Sequence, residues 1–267
     1  MLRFFLFLLF FGQVVQSLRI CSFNVRSFGE SKRKNPEILE VIVEIVYRCD
    51  IMLLMEIKDN RNRICPFLLE KLNGVESVCV KQIYQYPDLQ PGDEDAFSRE
   101  PFVVWFNSPK TAVKEFVIIP IHTTPEMAVK EIDELYDVFL DVKLRWKTKN
   151  FVFMGDFNAG CGYVAKKQWK NIRLRNYTDF VWIIDDNNDT TVKSTTHCPY
   201  DRIVLHGEML INSTTLGSAN IFDFQRALSM TEEQALAVSD HFPVEFQLRT
   251  TRRSSGRTAR YCRTIVS

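Results

Sequence analysis

After its first 17 residues the sequence has no apolar run approaching the roughly 20 residues that a membrane-spanning helix needs, so no such helix is expected in the mature chain. It has no internal repeat, no internal linker and no low-complexity tract before Arg249, which excludes a solenoid or a string of separate modules. Histidine is scarce, at four residues, and neither an H-E-x-x-H motif nor paired C-x-x-C motifs occur. The common zinc sites are thereby excluded. Net charge is also small, at a formal +1.

That small charge hides an asymmetry. From Arg249 to the end there are six arginines and no acid; without those six and Arg3, 27 basic residues face 33 acidic ones. The body is acidic, and residues 249–267 form a basic tail without apolar period, expected to be disordered. Such tails attract phosphate backbones and anionic membranes. At the other end, one arginine precedes an unbroken apolar run from Phe4 to Phe11, and Val15 and Ser17 suit cleavage after Ser17. Residues 1–17 therefore read as a secretory signal peptide, and a secreted chain starting near Leu18 is expected, exported through the endoplasmic reticulum. Roughly 250 residues remain, enough for one large domain over residues 18–248.

Seven cysteines in an exported chain leave at least one unpaired or paired between chains. Cys21 and Cys49, in or beside apolar segments, are open to reading as plain buried thiols. Cys161 and Cys198 lie in polar loop sequence and read as a disulfide. Asn176, Asn188 and Asn212 begin sequons for N-glycosylation.

Strand and helix signals interleave throughout. "LRICSFNV" (18–25), "IMLLMEI" (51–57), "FVVWF", "FVIIPIH", "FVFMGDFN", "YDRIVLHG" and "HFPVEFQL" read as strands, the last with Phe242, Val244, Phe246 and Leu248 on one face. Asn35-Pro36 opens a helix with Ile38, Val41, Ile42, Ile45, Val46 and Cys49 at helical spacing. A short helix runs from Pro66 to Asn73, and Thr124-Pro125 caps the longest one. An α/β layered domain follows.

Several of these apolar strands end in one unusual polar residue. Asn24 follows "ICSF", Glu56 follows "IMLLM", His122 follows "FVIIPI", and Asp156 and Asn158 follow "FVFMG"; Asp201 precedes "RIVL", and Asp240 with His241 precedes "FPVEF". Groups at strand ends line the crevice where α/β sheets bind ligands. Carboxylates, an asparagine and two histidines at one sheet edge suit a hard divalent cation such as Mg²⁺ together with acid–base catalysis, the chemistry of phosphodiester hydrolysis. Glu56 is the first candidate metal ligand, supported by Asn24, Asp156 and Asp240. One histidine must take a proton from water and the other must donate one. A carboxylate on a histidine's far nitrogen sets tautomer and orientation, and Asp201 is the candidate partner of His241.

"SFNVRSFG", "LMEIKD", "FSREPFVVWF", "IHTTP", "MGDFNAGC", "CPYDRIV" and "SDHFPVEF" stand in the order and context of the deoxyribonuclease I family, which the chain resembles over nearly all of residues 18–248. The resemblance implies a four-layer α/β/β/α sandwich of two packed mixed sheets. It implies a secreted endodeoxyribonuclease that cuts double-stranded DNA with Mg²⁺, supported by Ca²⁺, and acts as a monomer. It places Glu56 and Asn24 on the metal, Asp156, Asn158 and Asp240 around the phosphate, and His122 and His241 as the acid–base pair oriented on one side by Asp201. Arg26, Lys58, Arg99 and Tyr163 match DNA- or phosphate-facing positions; Lys58 stands where the family carries arginine and keeps charge without the planar fork. Asp95, Phe97 (through its carbonyl) and Glu100 resemble one calcium site, Asp189 and Thr191 another. The resemblance also pairs Cys161 with Cys198, and a role in DNA breakdown during apoptosis follows from it. By analogy the basic tail reaches chromatin, nucleosomes or anionic lipid.

One segment departs from the pattern. Family members carry about 35 further residues after the position of Asn73, enough for two strands and their connections. The missing piece brings the glutamate that buttresses one catalytic histidine, so the resemblance implies a His122 without its orienting carboxylate and a sheet with exposed edges. The alternative function is a catalytically impaired, splice-form-like family member that still binds DNA. A third is another phosphoesterase on the same fold.

Overall fold

The computed structural model describes residues 17–59, 63–72, 78–89 and 94–251. The expected signal peptide before Ser17, the basic tail beyond Thr251 and the junction at Asn73 and Gly74 lie outside the described residues. The chain runs β1 (Ser17–Phe28), α1 (Glu30–Arg33), α2 (Pro36–Tyr47), β2 (Ile51–Ile57), α3 (Ile64–Leu72), β3 (Cys79–Gln85), β4 (Phe102–Asn107), β5 (Glu115–His122), α4 (Ala128–Trp146) and β6 (Phe151–Asp156). It continues with α5 (Arg173–Asn176), β7 (Phe180–Ile184), β8 (Asp201–His206), α6 (Glu208–Ser213), β9 (Asn220–Ile221), α7 (Phe224–Ala227), α8 (Glu232–Val238) and β10 (Val244–Arg249).

Two mixed sheets form, ordered β2-β1-β10-β9 and β3-β4-β5-β6-β8-β7. The principal strands are apolar at both parities because both faces are covered. Leu18 and Ile20 of β1, Ile118 of β5, Val152 and Met154 of β6, Ile203 and Leu205 of β8, and Val244, Phe246 and Leu248 of β10 share the layer between the sheets. The opposite parity of the first sheet, with Phe23 and Val25, packs on α2, α3, α7 and α8 through Ile42, Ile45, Leu68, Phe224 and Ala235. That of the second, with Val117, Ile119, Phe151 and Phe153, packs on α4 and α5 through Ile132, Leu135, Phe139 and Leu174. Three apolar interfaces separate four layers, as the family resemblance implied.

Where the chain departs from the expectations, the causes are local. Cys21 and Cys49 are not free thiols: they form a disulfide joining β1 to the end of α2, with Cα atoms 6.1 Å apart. Closing a loop of 28 residues contributes about 3–4 kcal/mol on the chain-entropy account. Cys161 and Cys198 form the expected bridge. The helix expected from Pro66 begins two residues earlier, because the Asp59 carboxylate accepts the backbone N–H groups of Arg63, Ile64 and Cys65. Before the longest helix a 3-10 turn, Pro125–Met127, intervenes, and the Thr124 hydroxyl bonds to Glu131 instead of capping. The final strand starts at Val244, after Pro243; Phe242 packs in the outer layer with Phe224 rather than between the sheets. β3 and β7, both outer strands of the larger sheet, carried too little alternation to be read from sequence.

Candidate active site

The columns of residues that fill the layer between the sheets turn polar at one end. Along β1 the column Leu18, Ile20, Ser22 ends in Asn24; along β5, Phe116, Ile118 and Pro120 end in His122; along β6, Val152 and Met154 end in Asp156. Asp201 opens the column of Ile203 and Leu205, and lies opposite Asp156 in the ladder. Strand period therefore aims four of the expected site residues into one place.

Glu56 breaks this rule. Ile51 and Leu53 face the layer between the sheets while Met52 and Leu54 face the helices, so parity alone sends Glu56 outward. Its backbone is left-handed instead, with φ of 61°, and across the ladder Arg26 and Ser27 are left-handed too, at 43° and 58°. The register slips between Asn24 and Phe28 at this point. Each such residue costs about 1–3 kcal/mol, and together they swing the Glu56 carboxylate inward. There Glu56 Oε2 accepts from the Ser27 N–H at 2.9 Å, and Glu56 Oε1 accepts from Asn24 Nδ2 at 3.1 Å. Asn24 Nδ2 also donates to Asp156 Oδ2 at 3.0 Å.

Two histidines flank that oxygen. His122 Nε2 and His241 Nε2 each lie 3.7 Å from Asp156 Oδ2. Their far edges differ. His241 Nδ1 is 2.7 Å from Asp201 Oδ2, whereas among the described residues no hydrogen bond reaches the His122 ring. Burial alone would hold the His241 imidazolium down, but the charge and hydrogen bond of Asp201, with Asp156 and Asp240, outweigh it and push its pKa up to about 10. At His122 burial prevails, aided by Arg99 and opposed by Asp156 and Glu56, and its pKa falls below the ordinary value. Glu56 is held below the usual carboxylate range: burial acts against this, and the Asn24 bond, the His122 charge and the Ser27 bonds overcome it. Asp156 is raised, first by burial and then by Asp201.

The remaining candidates fall around this centre. Asn158 donates from Nδ2 to the Thr123 carbonyl, and its N–H reaches Asp156 Oδ1. Arg26 and Asp240 form a 3.6 Å ion pair at the rim. Lys58 and Arg99 line a cleft of about 580 Å³ with Glu56, His122, Thr123 and Thr124, and Arg99 donates to the His122 carbonyl. Tyr163 is exposed and stacks on Tyr200, whose ring lies 6.1 Å from that of His241.

The calcium candidates divide. Asp189 accepts from the Thr191 N–H, the Thr191 hydroxyl and the Cys198 N–H through one oxygen, with His197 Nδ1 2.8 Å from the other. Asp95 and Phe97 instead close a loop on Asp88, which the sequence reading missed. Asp88 is buried, accepts the Phe97 N–H through Oδ2, and among the described residues its buried Oδ1 has no partner. An orphaned carboxylate oxygen beside Asp95 and Phe97 fits a hard cation. At the main site the carboxylate oxygens of Glu56 and Asp156, bridged by Asn24 Nδ2, likewise suit Mg²⁺ better than a soft metal.

Other contributors were also invisible in sequence. Ser239 donates to the Asn24 carbonyl and accepts the His241 N–H, tying β1 to the turn before β10. Lys32 donates to the carbonyls of Val25, Arg26 and Val238 at 2.6–2.8 Å, clamping the left-handed turn to the end of α8. Glu131 accepts from Ser98 and Thr124 and joins the Arg99 loop to the His122 loop. Only "SDH" hinted at Ser239; nothing local marks the other two.

Known proteins resemble this chain in sequence and in fold. The profile of the endonuclease/exonuclease/phosphatase family matches residues 21–241. Human deoxyribonuclease gamma is 57% identical over 266 residues, covering 88% of this chain and 87% of that protein. Horse deoxyribonuclease-1 is 44% identical over 265 residues, covering 88% and 94%. Among solved structures, truncated Caenorhabditis elegans TDP2 superposes with a TM-score of 0.58 at 10% identity, over 87% of this chain and 97% of that one. At that identity the likeness shows the fold alone.

Proposed function

The chain belongs to the endonuclease/exonuclease/phosphatase family, and on that premise we propose that it is an exported, divalent-metal-dependent endodeoxyribonuclease acting on double-stranded DNA. The observation that carries the reading is the pair of histidines on one oxygen of Asp156, one anchored by Asp201 and the other not. Opposite pKa shifts divide their roles. His122, neutral at physiological pH, takes the proton of the attacking water. His241, held protonated, gives its proton to the oxygen that leaves phosphorus. A new P–O bond forms to the water oxygen as the bond to the leaving oxygen breaks. Asp201 holds the His241 ring, and Asn158 and Arg99 meet the phosphate oxygens. Mg²⁺ on Glu56 and Asn24, with Asp156 and Asp240 beside it, would neutralise charge on the phosphate. Arg26, Lys58 and Tyr163 lie along the DNA path, and Ca²⁺ at Asp88, Asp95, Phe97 and Glu100 would brace the loop that carries Arg99.

A second reading is favoured by two observations. Among the described residues no carboxylate bonds to the far edge of the His122 ring. An alignment 266 residues long that uses 88% of 267 residues, about 235, leaves about 31 positions with no counterpart in this chain. Both support a shortened member with impaired catalysis that retains DNA binding. Nicking of supercoiled plasmid by the secreted chain in Mg²⁺ plus Ca²⁺ decides between them. Nicking lost with EDTA and in His241→Ala supports the enzyme. No nicking, restored by inserting the family segment after Asn73, supports the binder. Deleting residues 249–267 is expected to impair cutting of chromatin far more than of naked plasmid; equal loss on both would remove the tail from the reading.

A further inference from the structure

We propose that Asn176 and Asn212 carry N-linked glycans, that Asn188 does not, and that the two glycans cover apolar side chains at the end of the sandwich remote from the catalytic cleft. The proposal rests on the reading of the chain as exported.

Register places the three sequons. In β8 Asp201 stands at the catalytic end and His206 at the other; β7 runs antiparallel, with Phe180 opposite His206 and Ile184 opposite Ile203. Asn176 precedes β7 and so lies at the far end. Asn212 follows β8 through α6, and its carbonyl accepts from Arg249, the last residue of β10, whose opposite end leads back to His241. Strands of six residues put roughly 20 Å between the two ends. Asn188 leaves β7 at the catalytic end, in the loop that returns to Asp201.

Local chemistry separates them in the same way. In glycosylation the asparagine nitrogen bonds to the anomeric carbon of a lipid-linked oligosaccharide, whose bond to pyrophosphate breaks, and the amide gives up one of its two protons. Asn176, Tyr177 and Thr178 are all exposed. Among the described residues Asn176 makes one side-chain bond, to the Lys170 carbonyl, which needs only the proton that remains. Asn212 is exposed, and among the described residues its side chain makes no hydrogen bond. Asn188 is half-buried and accepts the Asp185 N–H. Its sequon threonine, Thr190, is fully buried, donating to the Cys198 carbonyl and accepting the N–H groups of Tyr200 and Asp201. The central residue there is Asp189, whose carboxylate repels an anionic pyrophosphate donor.

An independent observation points to the same two positions. Tyr177, 44% exposed, is the central residue of the first sequon. Met209, 61% exposed, and the fully exposed Leu216 flank Asn212. Among the described residues no large exposed hydrophobic side chain lies within four positions of Asn188. Exposed apolar groups carry an aggregation cost that a bulky, hydrated sugar removes.

The test is the intact mass of the full chain secreted by mammalian cells, before and after peptide N-glycosidase treatment, with Asn176→Gln, Asn188→Gln, Asn212→Gln and the Asn176/Asn212 double variant. Two glycans are expected, one lost in each of the Asn176 and Asn212 variants and neither in Asn188→Gln. The double variant is expected to bind a hydrophobic dye severalfold more strongly, with plasmid nicking unchanged. A secreted chain bare at Asn176 and Asn212, a glycan at Asn188, or unchanged dye binding overturns the proposal. A chain that stays in the cell with its leader attached refutes the export reading itself, and the proposal with it.

Discussion

His122 and His241 bring their Nε2 atoms to the same distance, 3.7 Å, from a single oxygen, Asp156 Oδ2. The arrangement is symmetric about that atom and asymmetric beyond it, since among the described residues only His241 has a carboxylate behind it. The asymmetry sets the pH response. On the proposed roles activity needs His122 neutral and His241 charged, so kcat/KM is expected to rise as pH climbs through a His122 pKa below 6.5 and to fall only well above neutrality, towards 10. A pH–rate profile between 5 and 10.5 checks this; an alkaline limb near 7 would contradict the assigned roles.

Asp201→Asn keeps the size of the side chain but removes its charge. A loss of about 10³–10⁴ in kcat is expected, with the alkaline limb moved to lower pH. Stability reports on the same pair. Because the folded pKa of His241 is raised, the stabilisation is fully present below the unfolded value near 6.5 and is lost as pH rises through about 10. Thermal melts should show the wild type losing Tm across that window and Asp201→Asn, already lower at neutral pH, losing much less.

Lys32→Met leaves the carbonyls of Val25, Arg26 and Val238 without their shared donor and loosens the turn that aims Glu56. A 10–100-fold fall in kcat is expected, since misplacement by about an ångström has that effect. Lys32→Arg should not restore it, because a planar fork cannot replace one small cation among three carbonyls. Steady-state kinetics at saturating Mg²⁺ checks both variants.

Asp88→Asn removes the buried charge at the candidate calcium loop. Addition of Ca²⁺ is expected to raise the Tm of the wild type and leave that of the variant unmoved, as read by differential scanning fluorimetry. Equal shifts in both proteins would place the ion elsewhere.

Ile83 is 53% exposed on β3, the outer strand of the larger sheet. Such an edge templates pairing with other chains, and a lysine blunts it. Ile83→Lys should lower aggregation, followed by light scattering on slow warming, without changing nicking rates.

Much of the site was legible because strand period and strand ends are local properties. Asn24, His122, Asp156 and Asp201 each continue an apolar alternation readable in five or six residues, and "SDH" announced the turn that carries His241. Glu56 was named for its place after "IMLLM", although alternation alone points it away; the left-handed backbone that turns it inward is paid for by contacts across two strands. At Asp189 and Thr191, where the family resemblance implied a cation, the carboxylate also holds its own loop through Thr191, His197 and Cys198.

Sequence alone determined the layered α/β class, the polar strand ends and the Cys161–Cys198 bridge, since each depends on period, composition or loop character along a few residues. Only the tertiary structure decided the Cys21–Cys49 bridge, the Lys32 clamp, the Ser239 tie and the burial of Asp88. Each of these joins groups remote in sequence or depends on what packs around them, and a bond across 206 or 215 positions leaves no trace in the pattern of either partner. The difference between the two histidines belongs to the same class. Both end apolar strands or begin them; burial lowers the pKa of one, and the Asp201 carboxylate that folding sets behind the other raises it to about 10.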